Sequence, residues 1–406
     1  MSTFVLTDSA IERALMPGLD VAAPADFTSR VSAVIATQPR RSRSWVRWAI
    51  GWPRIAPAMT RTLLLLLLLL ALLVGAIAVA SVQRRAPANG VLIIARNYEL
   101  VAIDPDTSTS RSLLETGGLI SGVARSEDGS LISFWTETRA GFTLEVVGAD
   151  GNGRRVLAAD VAPAPVANEQ IDVWSGDRRF LASGVLVGRN ENRILLVEVS
   201  SGEAHYIGPP GAANPLWSPD GRWLAFTYPV DGRSVLAVMR PDGSDLARVG
   251  GDLGEFDAAG TNNWSPDGVW VYFGAQRDSF SESHIYRANV AGQFSERLTT
   301  DQRSAAPALS PDGTKVSYAN WRSDTLRDLK VMDADGAHQS LVLEDANNLG
   351  WSNDSEFLLT EWRPTKPPYE LLIIQPDGTG RKTLMSFEFG CGGPCVASLG
   401  WGQPRP

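Results

Sequence analysis

The sequence predicts an all-β fold: a seven-bladed β-propeller closed by N- and C-terminal strands, preceded by a single transmembrane helix and a short helical cytoplasmic segment. Three observations predict it: a turn motif that returns at blade length, an apolar run long enough to span a bilayer, and an N-terminal stretch too small to own a core. They divide the 406 residues into a cytoplasmic segment (1–60), a membrane helix (61–83), a linker (84–89) and the propeller (90–403).

The repeat carries the fold. A short apolar strand, often ending in Trp, leads into a turn that reads Ser126-Glu127-Asp128-Gly129, Ser175-Gly176-Asp177-Arg178, Ser218-Pro219-Asp220-Gly221, Ser265-Pro266-Asp267-Gly268, Ser310-Pro311-Asp312-Gly313 and Ser352-Asn353-Asp354-Ser355. The spacings of 49, 43, 47, 45 and 42 residues suit a four-stranded blade. Pro presets φ at the first corner, Asp accepts local backbone hydrogen bonds, and Gly takes the φ > 0 position. Apolar second strands follow, such as Trp223-Leu224-Ala225-Phe226 and Trp270-Val271-Tyr272-Phe273, as expected of strands buried between blades. A second turn joins strands three and four, clearest at Pro241-Asp242-Gly243, Ala334-Asp335-Gly336 and Pro376-Asp377-Gly378. Blades two and three depart most, with Arg125 where Trp is expected and Asp177-Arg178 in place of Asp-Gly.

Residues 91–116 supply only three strands (91–95, 100–104 and 110–114), while 397–401 read as a Trp-ended strand without a partner. Joining them completes the seventh blade and removes two exposed edges. With Trp264-Ser265-Pro266-Asp267-Gly268 and His284-Ile285-Tyr286-Arg287 on the page, the chain resembles the TolB-like, WD-repeat-like propellers over residues 90–403. The resemblance implies the fold. Such propellers serve as scaffolds, sensors and enzyme accessories alike, so it does not imply one function.

Leu63 to Val82 is uncharged for twenty residues and includes eight consecutive leucines; at ~1.5 Å per residue it covers a ~30 Å hydrocarbon layer. Arg40, Arg41, Arg43, Arg47, Arg54 and Arg61 precede it without an acid, so the positive-inside bias keeps the N-terminus cytoplasmic and the propeller extracytoplasmic. Trp45, Trp48 and Trp52 suit an interfacial belt. Ala78-Val79-Ala80 would also suit a signal peptidase, but the long leader and long apolar run favour a retained anchor.

In the cytoplasmic segment, Ser9 and Glu12 form a capping box, and Phe27, Val31, Val34 and Ile35 make a helical stripe. The run from Ala25 to Thr37 is similar to a stretch of membrane-tethered regulators resembling anti-sigma factors, which implies a cytoplasmic regulatory protein as partner of residues 1–50. A juxtamembrane amphipathic helix accounts for the same residues, and the segment has no His or Cys for a zinc-type regulator.

Residues 1–61 carry about +4 and the remainder about −12 of the net −8, which argues against nucleic acid. Three histidines, His205, His284 and His338, fall on different blades, so no metal site, no cofactor and no catalytic group is expected. Asp333-Ala334-Asp335-Gly336 resembles half a calcium loop and is explained by the hairpin turn. The sequence therefore predicts a non-enzymatic binding module for a protein, peptide or glycan. A sensor signalling to the N-terminal segment stands second and a propeller enzyme third. Cys391 and Cys395, in Cys-Gly-Gly-Pro-Cys, are expected to pair as a disulfide on the oxidising side. Recognition is expected on the face of the loops that vary in length. There Arg139, Arg277, Arg322 and Arg363 recur past second strands, with Trp321 and Trp362 before two of them. These residues can form a ring for an anionic or glycan-like ligand. An Arg repeated at one blade position more often braces neighbouring loops through acids and carbonyls, and that reading stands first.

Overall fold

Each Ser-x-Asp turn is a closed network of its own atoms. The buried Ser hydroxyl donates to Asp Oδ1 at 2.5–2.8 Å in all six copies. It also accepts the backbone N–H that opens the next strand at 2.8–3.0 Å. The same Oδ1 accepts a backbone N–H two residues on, at 3.0–3.1 Å. The residue after Asp takes positive φ in every copy, at Gly129, Gly221, Gly268 and Gly313 but also at Arg178 and Ser355, both at +62°. The two exceptions reach the preceding turn instead: Arg178 pairs with Asp128, and the Ser355 hydroxyl accepts the Asp312 N–H at 3.1 Å.

The computed structural model describes residues 90–164, 172–188, 191–254, 256–277, 282–292, 294–387 and 397–401. The residues expected to form the cytoplasmic segment, the membrane helix and the linker (1–89), and the expected Cys391–Cys395 pair, lie outside the described residues. Among those described, no helix is long and apolar enough to cross a membrane.

Seven antiparallel sheets follow one another along the chain as the blades of a propeller. Blade one holds β1 (Leu92–Arg96), β2 (Glu99–Asp104) and β3 (Thr109–Glu115). Its innermost strand is β29 (Ala397–Trp401), which pairs with β1 at Leu92↔Trp401 and Ile93↔Gly400. The closure by both ends of the propeller is thus as the sequence predicts. Blades two (119–159), four (213–248), five (257–297), six (304–343) and seven (346–387) each contribute four consecutive strands. Blade three (162–207) differs, because its inner edge is split into Ala162–Pro163 and Asp172–Trp174, which pair with separate stretches of Phe180–Val187.

Apolar second and third strands bury their side chains on both sides, so each seam between blades holds its own core. One cluster occupies each of seven seams, the last (Leu92, Ile94, Val101 and Ile103 against Leu359 and Leu371) joining blade seven to blade one. The Trp ending an inner strand crosses its seam. Trp264 Nε1 donates to Leu216 O at 3.2 Å, Trp351 Nε1 to Ala308 O at 2.8 Å and Trp174 Nε1 to Ser133 Oγ at 3.1 Å. Arg125, standing where Trp is expected, does the same by donating to Val91 O at 2.9 Å. The departure in blade two is therefore a substitution of donor rather than a loss of the contact.

Candidate functional site

In a four-stranded antiparallel blade the first-to-second and third-to-fourth turns lie at one end, and the second-to-third and interblade loops at the other. The first end is consumed by the turns just described. Its second-turn glycines also press on the previous blade: a Cβ on Gly151 would meet Leu113 O at 2.4 Å, and one on Gly336 would meet Leu298 O at 2.9 Å. Both ends of the described propeller, Gly90 entering β1 and Trp401 leaving β29, fall on this same face. The opposite face, with loops of unequal length, is the candidate interface.

On it the four arginines part company. Arg322 Nε lies 2.9 Å from Asp328 Oδ2, and its Nη2 pairs with Asp345, which precedes blade seven. The Asp345 N–H donates to Asp328 Oδ1 at 3.2 Å, and Asp345 O accepts the Arg363 N–H at 2.7 Å. Arg363 Nε in turn lies 2.9 Å from Glu361 Oε2, which also accepts Asn347 Nδ2 at 3.0 Å. The structure thus joins Arg322 and Arg363 through Asp345 across one seam. Arg277 sits apart, 3.5 Å from Glu282 directly opposite it in the sheet. Arg139 is exposed at its turn and takes part in no ion pair among the described residues. Trp321 and Trp362 lie under guanidinium groups, of Arg327 at 4.0 Å and of Arg381 at 4.3 Å, and Trp362 also packs on the core of its seam.

The burial of Glu361 and of His284 escaped the sequence reading. Glu361 is 1% exposed although it lies in an apolar strand; the alternation Leu359, Glu361, Arg363 was the available sign that the three share a face. His284 is fully buried, with Nε2 3.0 Å from Glu282 Oε1 and its ring edge-on to Phe256. That imidazole, before the neighbouring arginines, holds the Glu282 carboxyl below its usual range. The other two histidines lie elsewhere, His205 on an outer strand and His338 beside Asp333 at 2.6 Å. Among the described residues no three His, Cys, Asp or Glu side chains converge as a metal site.

Against this geometry the comparisons with known proteins take their place. The profile of the TolB beta propeller domain (PD40) matches residues 132–394. The chain belongs to this family. A protein described as "Protein TolB homolog" from Chlorobium chlorochromatii is 30% identical over 112 residues, which is 27% of this chain and 24% of that protein. The chain thus matches about a quarter of that relative's length. Among solved structures, a TolB from Acinetobacter baumannii aligns at 18% identity and a TM-score of 0.46, over 63% of this chain and 63% of that one. The oligogalacturonate lyase of Vibrio parahaemolyticus aligns at 14% identity and a TM-score of 0.52, over 68% of this chain and 89% of that one. The second likeness is one of fold, and it shows that the TolB-type propeller shares its architecture with an enzyme.

Proposed function

We propose that this TolB-type propeller is a binding module, anchored in the cell membrane with its N-terminus cytoplasmic and the propeller outside, and that it holds a protein partner on the face of variable loops. One observation carries the reading: the tight-turn face is spent on closing turns, bracing neighbours and admitting both ends of the described propeller, whereas the opposite face is left to loops whose side chains the repeat does not use. Family membership supports binding over catalysis, as does the scatter of His284, His205 and His338. On this reading Arg277, Arg322 and Arg363 brace the loops of the binding face, and Cys391 and Cys395 form a disulfide in the oxidising compartment.

The test is photo-crosslinking in intact cells of the source organism, with a photoreactive residue placed on one face or the other of the full chain. Probes at Asp324 or Lys366 should capture a discrete protein, and probes at Glu356 or Asp377 should not. Capture from the second pair alone would reverse the assignment. A protease added outside intact cells should digest the propeller and spare an N-terminal tag; digestion of the tag alone would overturn the topology.

A further inference from the structure

Eight large apolar side chains are substantially exposed among the described residues. Val156, Tyr206 and Leu341 sit on outermost strands, and Leu246, Val269 and Phe294 lie toward the tight-turn face. Only Tyr98, 54% exposed, and Leu119, 45% exposed, lie on the variable face, and the backbone brings them together. Tyr98 O accepts the Thr116 N–H, and Asn97 O the Ile120 N–H, both at 2.7 Å. The Thr116 hydroxyl lies 2.6 Å from Gly118 O and 3.1 Å from Tyr98 O, tying the β1–β2 turn to the interblade linker.

The presentation of both side chains is built in. Asn97 takes φ of +55°, which turns the chain so that Tyr98 points outward. Gly118 lies flat on blade two, where a Cβ would meet Glu137 O at 2.2 Å, so the linker is pressed down with Ile120 buried and Leu119 turned to solvent. An exposed aromatic beside an exposed aliphatic, held by hydrogen bonds in the unbound state, loses little freedom on binding.

The rim sets the partner's charge. Glu137 stands opposite Leu119 in the sheet, Glu115 ends the strand before the linker, and Asp160 follows the outermost strand of blade two at the same end; all three are exposed, and none is in an ion pair among the described residues. Of the nearby cations, Arg96 is engaged by Glu99 at 2.6 Å, which leaves Arg139 against three carboxylates. The geometry points to a docking site at Tyr98 and Leu119 for a peptide segment that carries an apolar side chain flanked by basic residues. This inference rests on the proposed binding face and names its partner's chemistry.

The probe is a library of short random peptides selected against the full-length chain in nonionic detergent. Enriched peptides should place Lys or Arg beside an apolar residue and weaken in salt. Their affinity should fall about tenfold or more in Y98S/L119S, and several-fold in E115Q/E137Q, at unchanged melting temperature; Y98F should retain binding. Enrichment of acidic or uncharged peptides, or indifference to both double variants, overturns the inference. If binding is lost instead on substituting Asp324 and Lys366, the inference falls while the proposed face stands. Loss confined to substitutions at Glu356 and Asp377 removes both.

Discussion

At the scale of single residues, the recurrent Ser and Asp decide how the propeller meets acid. Asp220 is lowered to about 2, first by the Ser218 hydroxyl and then, against burial, by the backbone and side chain of Arg222. Asp267 is lowered chiefly by Ser265; for Asp128 and Asp312, burial raises the carboxyl but hydrogen bonds to Ser and the backbone outweigh it. A folded-state pKa below the unfolded value of ~3.9 stabilises above that value and is lost as pH falls through the folded one. Thermal stability should therefore hold down to about pH 4 and fall from there toward about pH 2, which a series of melting temperatures would reveal. S218A should raise the Asp220 value, seen by carboxyl NMR titration; an unmoved titration would remove Ser218 as its cause. The positive φ of Arg178 and Ser355 was not readable from composition, because each is held by a bond to another blade's turn.

At the scale of elements, the loop between Trp321 and Arg327 and the strand leading to Arg363 act as one brace. Arg322 clamps Asp328, which is 5% exposed, to the linker residue Asp345, and Asp345 O receives the Arg363 N–H. Removing the guanidinium leaves a buried carboxylate short of its cation. We expect R322A to cost about 1–3 kcal/mol, less than a fully buried pair because Arg322 is itself well exposed. Chemical denaturation would measure it. A cost near zero would instead favour the ligand ring, the other reading of these arginines that the sequence offers. The recurrence of Arg past second strands was legible in the sequence, but its carboxylate partners were not, since Asp345 comes from the connection into the next blade.

At the scale of the whole molecule, closure depends on a strand drawn from the far end of the chain. Without β29, β1 would present its inner edge from Leu92 to Ala95 to solvent. A chain ending at residue 396 should unfold or aggregate; one that melts like the full-length protein would show that closure is dispensable. That strand, the seven blades and both turn families were written in the sequence, because a tight turn needs specific residues at fixed offsets and a blade returns them at a fixed interval. The sequence also placed the variable loops at one end, since antiparallel order leaves no alternative. Which of those loops meet was decided only by tertiary structure. The tie of the Asn97-Tyr98 turn to the linker from Thr116 to Ile120, the clamp of Arg322 on Asp345 and the reach of Arg125 to Val91 O each join elements whose separation is set by the packing of neighbouring sheets. No local rule of spacing encodes that distance.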